Sequence, residues 1–380
     1  MKKKLLSYIL CAALVGVLFA GCGKKEESAT EETTETTETT TEETTETTTD
    51  TEVLNIEIVS KGFQHQYWQA VLKGAQQKAE ELGVKINFVG PNSESDIADQ
   101  VQMLNSAINA KPAAIALAAL DTSACLDAIT TAQAAGIPII GFDSGVPDAP
   151  EGAVLANAST DNYAAGELAA EEGYKAGIGD RVKNATGTVR IGVLSQDATS
   201  ESIINRGLGF IDKMAELVTA DGKTVTVEGN DKFVSDSKVE KTSGADVVIE
   251  VLVPAQVTSE LSSIDCQTLL NKSDLIAVYG SNQHSGEAMV TGDENLGKFG
   301  IGDDKILGIA FDSGAVIKQA VKDQKFIGAI TQAPVAMGEV TVELCVKAAK
   351  GEAVSDVDTG CQWYTSETMD NPEIAQNLYD

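Results

Sequence analysis

The chain of 380 residues contains only two histidines, His65 and His284. Beyond residue 22 its cysteines, Cys125, Cys266, Cys345 and Cys361, stand far apart with no C-x-x-C spacing. Such a sparse ligand set predicts neither a zinc nor an iron–sulfur site, and no metal is expected. Four cysteines in an exported chain would permit two disulfides. A domain large enough to hold its own core equally accommodates them as free buried thiols, and spacing does not decide between the two. Basic residues are also few, with 28 Lys and Arg against 57 Asp and Glu and a net charge of −29. A surface this acidic repels phosphate backbones, so no nucleic-acid partner is expected. There is no G-x-S-x-G elbow, no phosphate-cradling P-loop and no basic helix-turn-helix segment. Nor does any carboxylate pair stand out as set around a scissile bond, as a glycosidase requires. No enzyme and no cofactor are expected.

What is present begins with a processing segment. Lys2, Lys3 and Lys4 form a positive region, residues 5–19 an apolar run too short to span a membrane comfortably, and Ala20-Gly21 a small-residue cleavage site. Leu18-Phe19-Ala20-Gly21-Cys22 resembles a bacterial lipobox, which implies that 1–21 is a lipoprotein signal peptide and Cys22 the lipidated residue. Residues 22–52 are then a lipid-anchored tether. From residue 23 on they consist mostly of Thr and Glu, too polar to offset the entropy of ordering. Fully extended, at ~3.3 Å per residue, the tether would reach on the order of 100 Å. The expected location is extracytoplasmic, held to the outer face of the bacterial cell membrane through the lipid alone.

From residue 53 the pattern alternates. Apolar runs at 54–59, 84–89, 113–118 and 137–142 read as strands, separated by helical spacing at 66–82, 93–109 and 123–135. The alternation restarts with strands at 153–156 and 188–194 and helices at 161–176 and 202–218. Residues 219–262 are less regular, with strands at 225–228 and 246–253 around a polar excursion. Helices at 257–270, 286–296 and 316–321 and strands at 275–279, 306–311 and 326–330 follow. Nearly continuous apolar strands between amphipathic helices predict parallel sheets covered on both faces. Two such units in succession predict a two-lobed α/β protein.

In open α/β sheets ligands bind outside the carboxyl ends of the strands. The residues there include Ser60-Lys61, Asp121, Asp143-Ser144, Ser195-Gln196, Ser281-Asn282-Gln283, Asp312-Ser313 and Thr331-Gln332, with Tyr67 and Trp68 beside the first strand. Carboxylates, amides and hydroxyls next to aromatics suit a polyol, whose hydroxyls they bond and whose C–H face stacks on a ring. Lys61 and Arg206 balance Asp143 and Asp312, a near-neutral set that favours a neutral ligand. Asp121 also suits a helix cap before Ser123, and Asp143 and Asp312 could cap the helices after them. Adjacent helical residues cannot face one way, so if the pair is ordinary helix packing rather than a ligand wall, one of Tyr67 and Trp68 is exposed or packed elsewhere. Cys125 is most simply a small core residue.

A resemblance joins these pieces. The succession Gly141-Phe142-Asp143, Thr160-Asp161-Asn162, Asn205-Arg206-Gly207-Leu208-Gly209-Phe210, Gly280-Ser281-Asn282, Ala310-Phe311-Asp312 and Ile330-Thr331-Gln332-Ala333-Pro334 is similar to the ribose- and galactose-type solute-binding proteins of bacterial ABC sugar importers. It implies a type 1 periplasmic binding protein fold, two Rossmann-like lobes joined by a three-strand hinge, with 53–159 plus 333–352 in one lobe and 160–332 plus 353–380 in the other. It implies a monosaccharide, pentose or hexose, bound between the lobes and delivered to a permease by a monomer. The implied ligand residues are Lys61, His65, Tyr67, Trp68, Asp143, Ser144, Arg206, Asn282, Asp312 and Gln332. His65 stands where the family often has Asn, and Ser144 where the ribose binder has Arg, which implies a sugar other than ribose or a related small polyol. A sensor of the same fold, signalling to a chemoreceptor or kinase, or a binder of a non-sugar polar ligand, is the alternative.

Overall fold

The computed structural model describes residues 53–380 except Gln64. The signal segment, Cys22 and the tether lie outside the described residues. Along the first strand, β1 (Asn55–Val59), side chains alternate between faces. Ile56 and Ile58 enter one apolar cluster and Val59 another. The first lobe continues with α1 (Gln66–Leu82), β2 (Lys85–Val89), α2 (Ile97–Asn109), β3 (Ala114–Leu117), α3 (Leu126–Ala134), β4 (Ile139–Phe142) and β5 (Val154–Ser159). The chain then crosses to the second lobe. There α4 (Asn162–Gly173), a π turn at Tyr174–Ile178 and α5 (Gly179–Asn184) precede β6 (Val189–Leu194), α6 (Glu201–Ala220), β7 (Val225–Gly229), α7 (Asp231–Asp236) and β8 (Val247–Leu252). The lobe ends with α8 (Ser259–Leu270), β9 (Leu275–Gly280), α9 (Gln283–Asp293), β10 (Leu307–Phe311), α10 (Gly314–Lys322) and β11 (Phe326–Gln332). The chain returns for α11 (Pro334–Ala349) and β12 (Val357–Asp358), then crosses again into β13 (Cys361–Tyr364) and α12 (Pro372–Ala375).

The strands form a six-stranded sheet, β12-β5-β4-β3-β1-β2, and a seven-stranded sheet, β13-β11-β10-β9-β6-β8-β7. Two α/β lobes on parallel sheets are as the alternation predicts, with one exception, since β13 runs antiparallel to β11. The reason is geometric. β11 ends at the hinge and β13 begins there, so the two must run in opposite senses. β12 runs toward the hinge beside β5, and the pair is parallel. Because β12 belongs to the first sheet and β13 to the second, the third crossing falls at 359–360, later than the 352/353 boundary expected from resemblance. Thr160 fastens this region: its hydroxyl donates to Gln332 Oε1 at 3.0 Å and to the Gly360 carbonyl at 3.4 Å, so the three crossings meet at one side chain.

In each lobe two helices lie in backbone contact, and glycine makes it possible. A Cβ on Gly74 of α1 would lie 1.9 Å from the Val335 carbonyl oxygen, and one on Gly338 of α11 would lie 2.0 Å from that of Val71. In the second lobe a Cβ on Gly209 of α6 would lie 2.1 Å from the Tyr163 oxygen. These contacts bring the amino ends of α1 and α4 close to the interlobe cleft. In the irregular stretch both expected strands form. The unexpected element is α7, whose Phe233 is fully buried against Gly207 rather than facing the cleft. Helix α9 begins three residues before the expected 286, because Asn282 accepts from Ser285 N at 3.0 Å and caps it. Cys125, Cys266, Cys345 and Cys361 are all free.

Candidate functional site

The carboxyl ends of the two sheets face each other, and two aspartates mark the meeting. Asp143 follows β4 and Asp312 follows β10, each after a phenylalanine, and each adopts a left-handed backbone, with φ of 56° and 73°. Non-glycine residues in that region carry strain on the order of 1–3 kcal/mol, which persists where the surroundings over-determine it. The repeated Phe-Asp-Ser-Gly thus turns both carboxylates into the cleft at equivalent places in two lobes. Both are 4 % exposed.

Each carboxylate has its own partners. Tyr67 Oη donates to Asp143 Oδ1 at 2.7 Å, and Lys61 Nζ lies 3.4 Å from Asp143 Oδ2, which accepts no hydrogen bond. Burial pushes the Tyr67 phenol well up, and Asp143 pushes it further. Burial works against the charge on Lys61, yet Asp143, Glu94 and Asp197 together hold its pKa above the ordinary value. In the other lobe Gln332 Nε2 donates to Asp312 Oδ1 at 2.6 Å and Gln283 N to Oδ2 at 3.0 Å. Arg206 Nη1 lies 3.9 Å from Asp312 Oδ2. Burial nevertheless prevails and raises the Asp312 pKa. Arg206 is fixed by two bonds to Asn162 Oδ1, at 3.2 and 2.7 Å, by one to the Ser281 carbonyl at 3.0 Å, and by stacking 3.7 Å over the Phe311 ring.

The aromatic pair departs from ordinary helix packing, since both residues are buried, Tyr67 at 5 % and Trp68 at 2 % exposure, and both line the cleft. At the amino end of α1 the surrounding lobes enclose more than one side of the helix. Tyr67 turns toward Asp143 and Tyr379, Trp68 toward Phe142 and Glu94, and their rings meet edge to face at 5.0 Å.

Nine of the ten residues implied as ligand contacts line this one cleft. The tenth, Ser144, does not; its hydroxyl accepts from Ser202 N at 3.2 Å and braces the amino end of α6. Asp121 caps the following turn, accepting from Ser123 N and Ala124 N, each at 2.8 Å. Glu94, Ser202, Ile203 and Gln283 also line the cleft without having been singled out as contacts. Glu94 takes Trp68 Nε1 at 2.8 Å and Gln196 Nε2 at 3.0 Å, and His65 Nε2 is 3.7 Å away. It lies in the turn between β2 and α2, at a position that the spacing assigns to a helix over 93–109, whereas α2 begins only at Ile97.

Several bonds cross between the lobes: Lys61 Nζ to Ser202 Oγ at 3.1 Å, Gln196 Nε2 to Glu94, and Tyr67 N to Gln283 Oε1 at 3.2 Å. These bonds draw the lobes together over a cleft of about 310 Å³ of non-atom space, the open mouth included. A roomier surface groove, about 1200 Å³ of non-atom space by the same measure and lined by Glu151, Asp161 and Asp358 among others, has no aromatic wall. Among the described residues no group of three metal-ligating side chains converges.

A family model for the periplasmic binding protein domain matches residues 56–353. The ribose import binding protein of Bacillus subtilis is 24 % identical over 279 residues, 73 % of this chain and 75 % of that protein. Among solved structures, a Brachyspira murdochii protein described as an ABC transporter, LacI family transcriptional regulator, is 35 % identical with a TM-score of 0.71, covering 86 % of this chain and 99 % of that one. An ABC transporter solute-binding protein of Agrobacterium vitis, solved with D-fucose bound, is 29 % identical with a TM-score of 0.70, covering 86 % of this chain and all of the other (100 %).

Proposed function

Because the chain belongs to the periplasmic binding protein domain family, matched over residues 56–353, we propose that it captures a monosaccharide between its lobes and delivers it to an ABC importer. The observation that carries this reading is the convergence of Asp143 and Asp312, one from each lobe, on strained backbones at the ends of facing sheets. Sugar hydroxyls both donate and accept. The acceptor-only carboxylates, the donors Arg206 and Lys61, and the amides of Asn282 and Gln332 provide complementary partners. Trp68 and Tyr67 supply rings against which an apolar C–H face can stack. Ribose import in the Bacillus relative and bound D-fucose in the Agrobacterium structure support a monosaccharide as ligand.

Entry of a sugar requires the lobes to part about the Thr160 hinge and then close, and closure joins surface from both lobes into a face that a permease can recognise. The lipobox-like Cys22 and the Thr/Glu tether support a lipid-anchored protein outside the cell membrane. The test is a thermal-shift screen of the protein with pentoses, hexoses and inositols, in which a binder raises the melting temperature by linkage. If no sugar shifts it while a nucleoside or an amino acid does, the sugar assignment fails.

A further inference from the structure

The sequence pairs two cations with two carboxylates, but the folded cleft holds a third carboxylate. Lys61, Arg206, Glu94, Asp143 and Asp312 all line it, and none is more than 6 % exposed. Lys61 lies 3.4 Å from Asp143 and Arg206 3.9 Å from Asp312. Among the described residues Glu94 has no comparable cation. Its hydrogen-bond donors are the neutral Trp68 indole and Gln196 amide, and the nearest basic group is the His65 imidazole, whose Nε2 stands 3.7 Å away without a hydrogen-bond partner. A buried carboxylate is stabilised most by a charge-assisted donor. His65 and Lys61, together with the bonds from Trp68 and Gln196, outweigh burial and hold the Glu94 pKa below its ordinary value, so the group is an anion in the cleft.

We infer that Glu94 reads a positively charged substituent on the ligand, and that the site prefers a monosaccharide carrying a primary ammonium to its neutral parent. This rests on the reading of the cleft as a sugar site. The ammonium donates to Glu94 at the end of the cleft bounded by His65 and Trp68, while the ring hydroxyls engage Asp143, Arg206 and Asp312. The pairing also explains why Trp68 and Gln196 hold Glu94 from opposite lobes: when the lobes close, the carboxylate is fixed where only a donor of matching charge replaces what water supplied.

The experiment is titration calorimetry of the protein with amino sugars such as D-glucosamine and D-galactosamine, each beside its neutral parent and its N-acetyl derivative. The expected result is an amino sugar bound at least about tenfold more tightly than both, a ratio that Glu94→Gln brings close to one. The N-acetyl comparison tests the charge in the unmodified protein and does not depend on the folding of the variant. Neutral sugars binding as tightly as amino sugars would overturn the inference and leave the sugar-binding reading intact. Binding of no sugar of any kind would overturn both.

Discussion

Gln332 Nε2 donates to Asp312 Oδ1 at 2.6 Å, while the other end of the same amide accepts from Thr160 Oγ1 at 3.0 Å. A cleft-facing carboxylate is therefore bonded to the residue at which the second crossing strand leaves the lobe, and through it to the first. Under the proposed function, ligand contact at Asp312 and the lobe angle at the hinge would share one side chain.

Replacing Gln332 with Ala should therefore weaken sugar binding and loosen the hinge together. A hydrogen bond from a neutral amide to a buried charged group is worth roughly 1.5–3 kcal/mol. Calorimetry should show a large loss of affinity, and small-angle scattering a more open average shape. Affinity loss with an unchanged scattering profile would confine Gln332 to ligand contact.

Tyr67→Phe keeps the ring but removes the one hydrogen bond that Asp143 Oδ1 receives at the cleft. Leaving a buried carboxylate oxygen unpaired costs roughly 1–3 kcal/mol. The variant should melt at a lower temperature than the wild type and bind sugar more weakly; equal melting points would mean that Lys61 alone satisfies Asp143.

Gly338→Ala tests the helix pairing that positions α1. Its Cβ would stand 2.0 Å from the Val71 carbonyl oxygen, so the two helices must separate. Overpacking of this kind costs roughly 1–3 kcal/mol. A denaturant midpoint unchanged from wild type would show that the contact yields freely.

The pH dependence follows from His284. Burial and the neighbouring His65 lower its pKa from 6.5 to about 4, against the weaker opposing pull of Glu94. Between those values the unfolded chain binds the proton and the native one does not, so this group's contribution to stability is full above about 6.5 and is lost as pH falls through 4. Denaturant melts of wild type and His284→Gln should converge as pH falls across this window; parallel profiles would remove His284 from the acid response.

Much of this architecture was legible beforehand. Helix α1 begins and ends at the predicted residues because a strand before it and Gly83 after it punctuate the pattern, and Gly83 indeed takes the left-handed conformation at φ 65°. The cleft was visible as a list of strand-end residues, since β4 and β10 carry the same Phe-Asp-Ser-Gly. What periodicity cannot show is tertiary closure. Two adjacent aromatics can both be buried only because two lobes surround one helix end. Glu94 becomes part of the site only because Trp68 and Gln196, distant in sequence, both reach it. The antiparallel β13 was hidden for the same reason: its direction comes from where the chain recrosses the hinge, not from its own residues.

In the proposed function one sugar sits between Asp143 and Asp312. Isothermal titration calorimetry of the wild type, Asp312→Ala and Trp68→Ala with the sugar that most raises the melting temperature tests it directly. One site per chain is expected in the wild type and no measurable binding in either variant, with both variants still folded by circular dichroism. Undiminished affinity in both would contradict it.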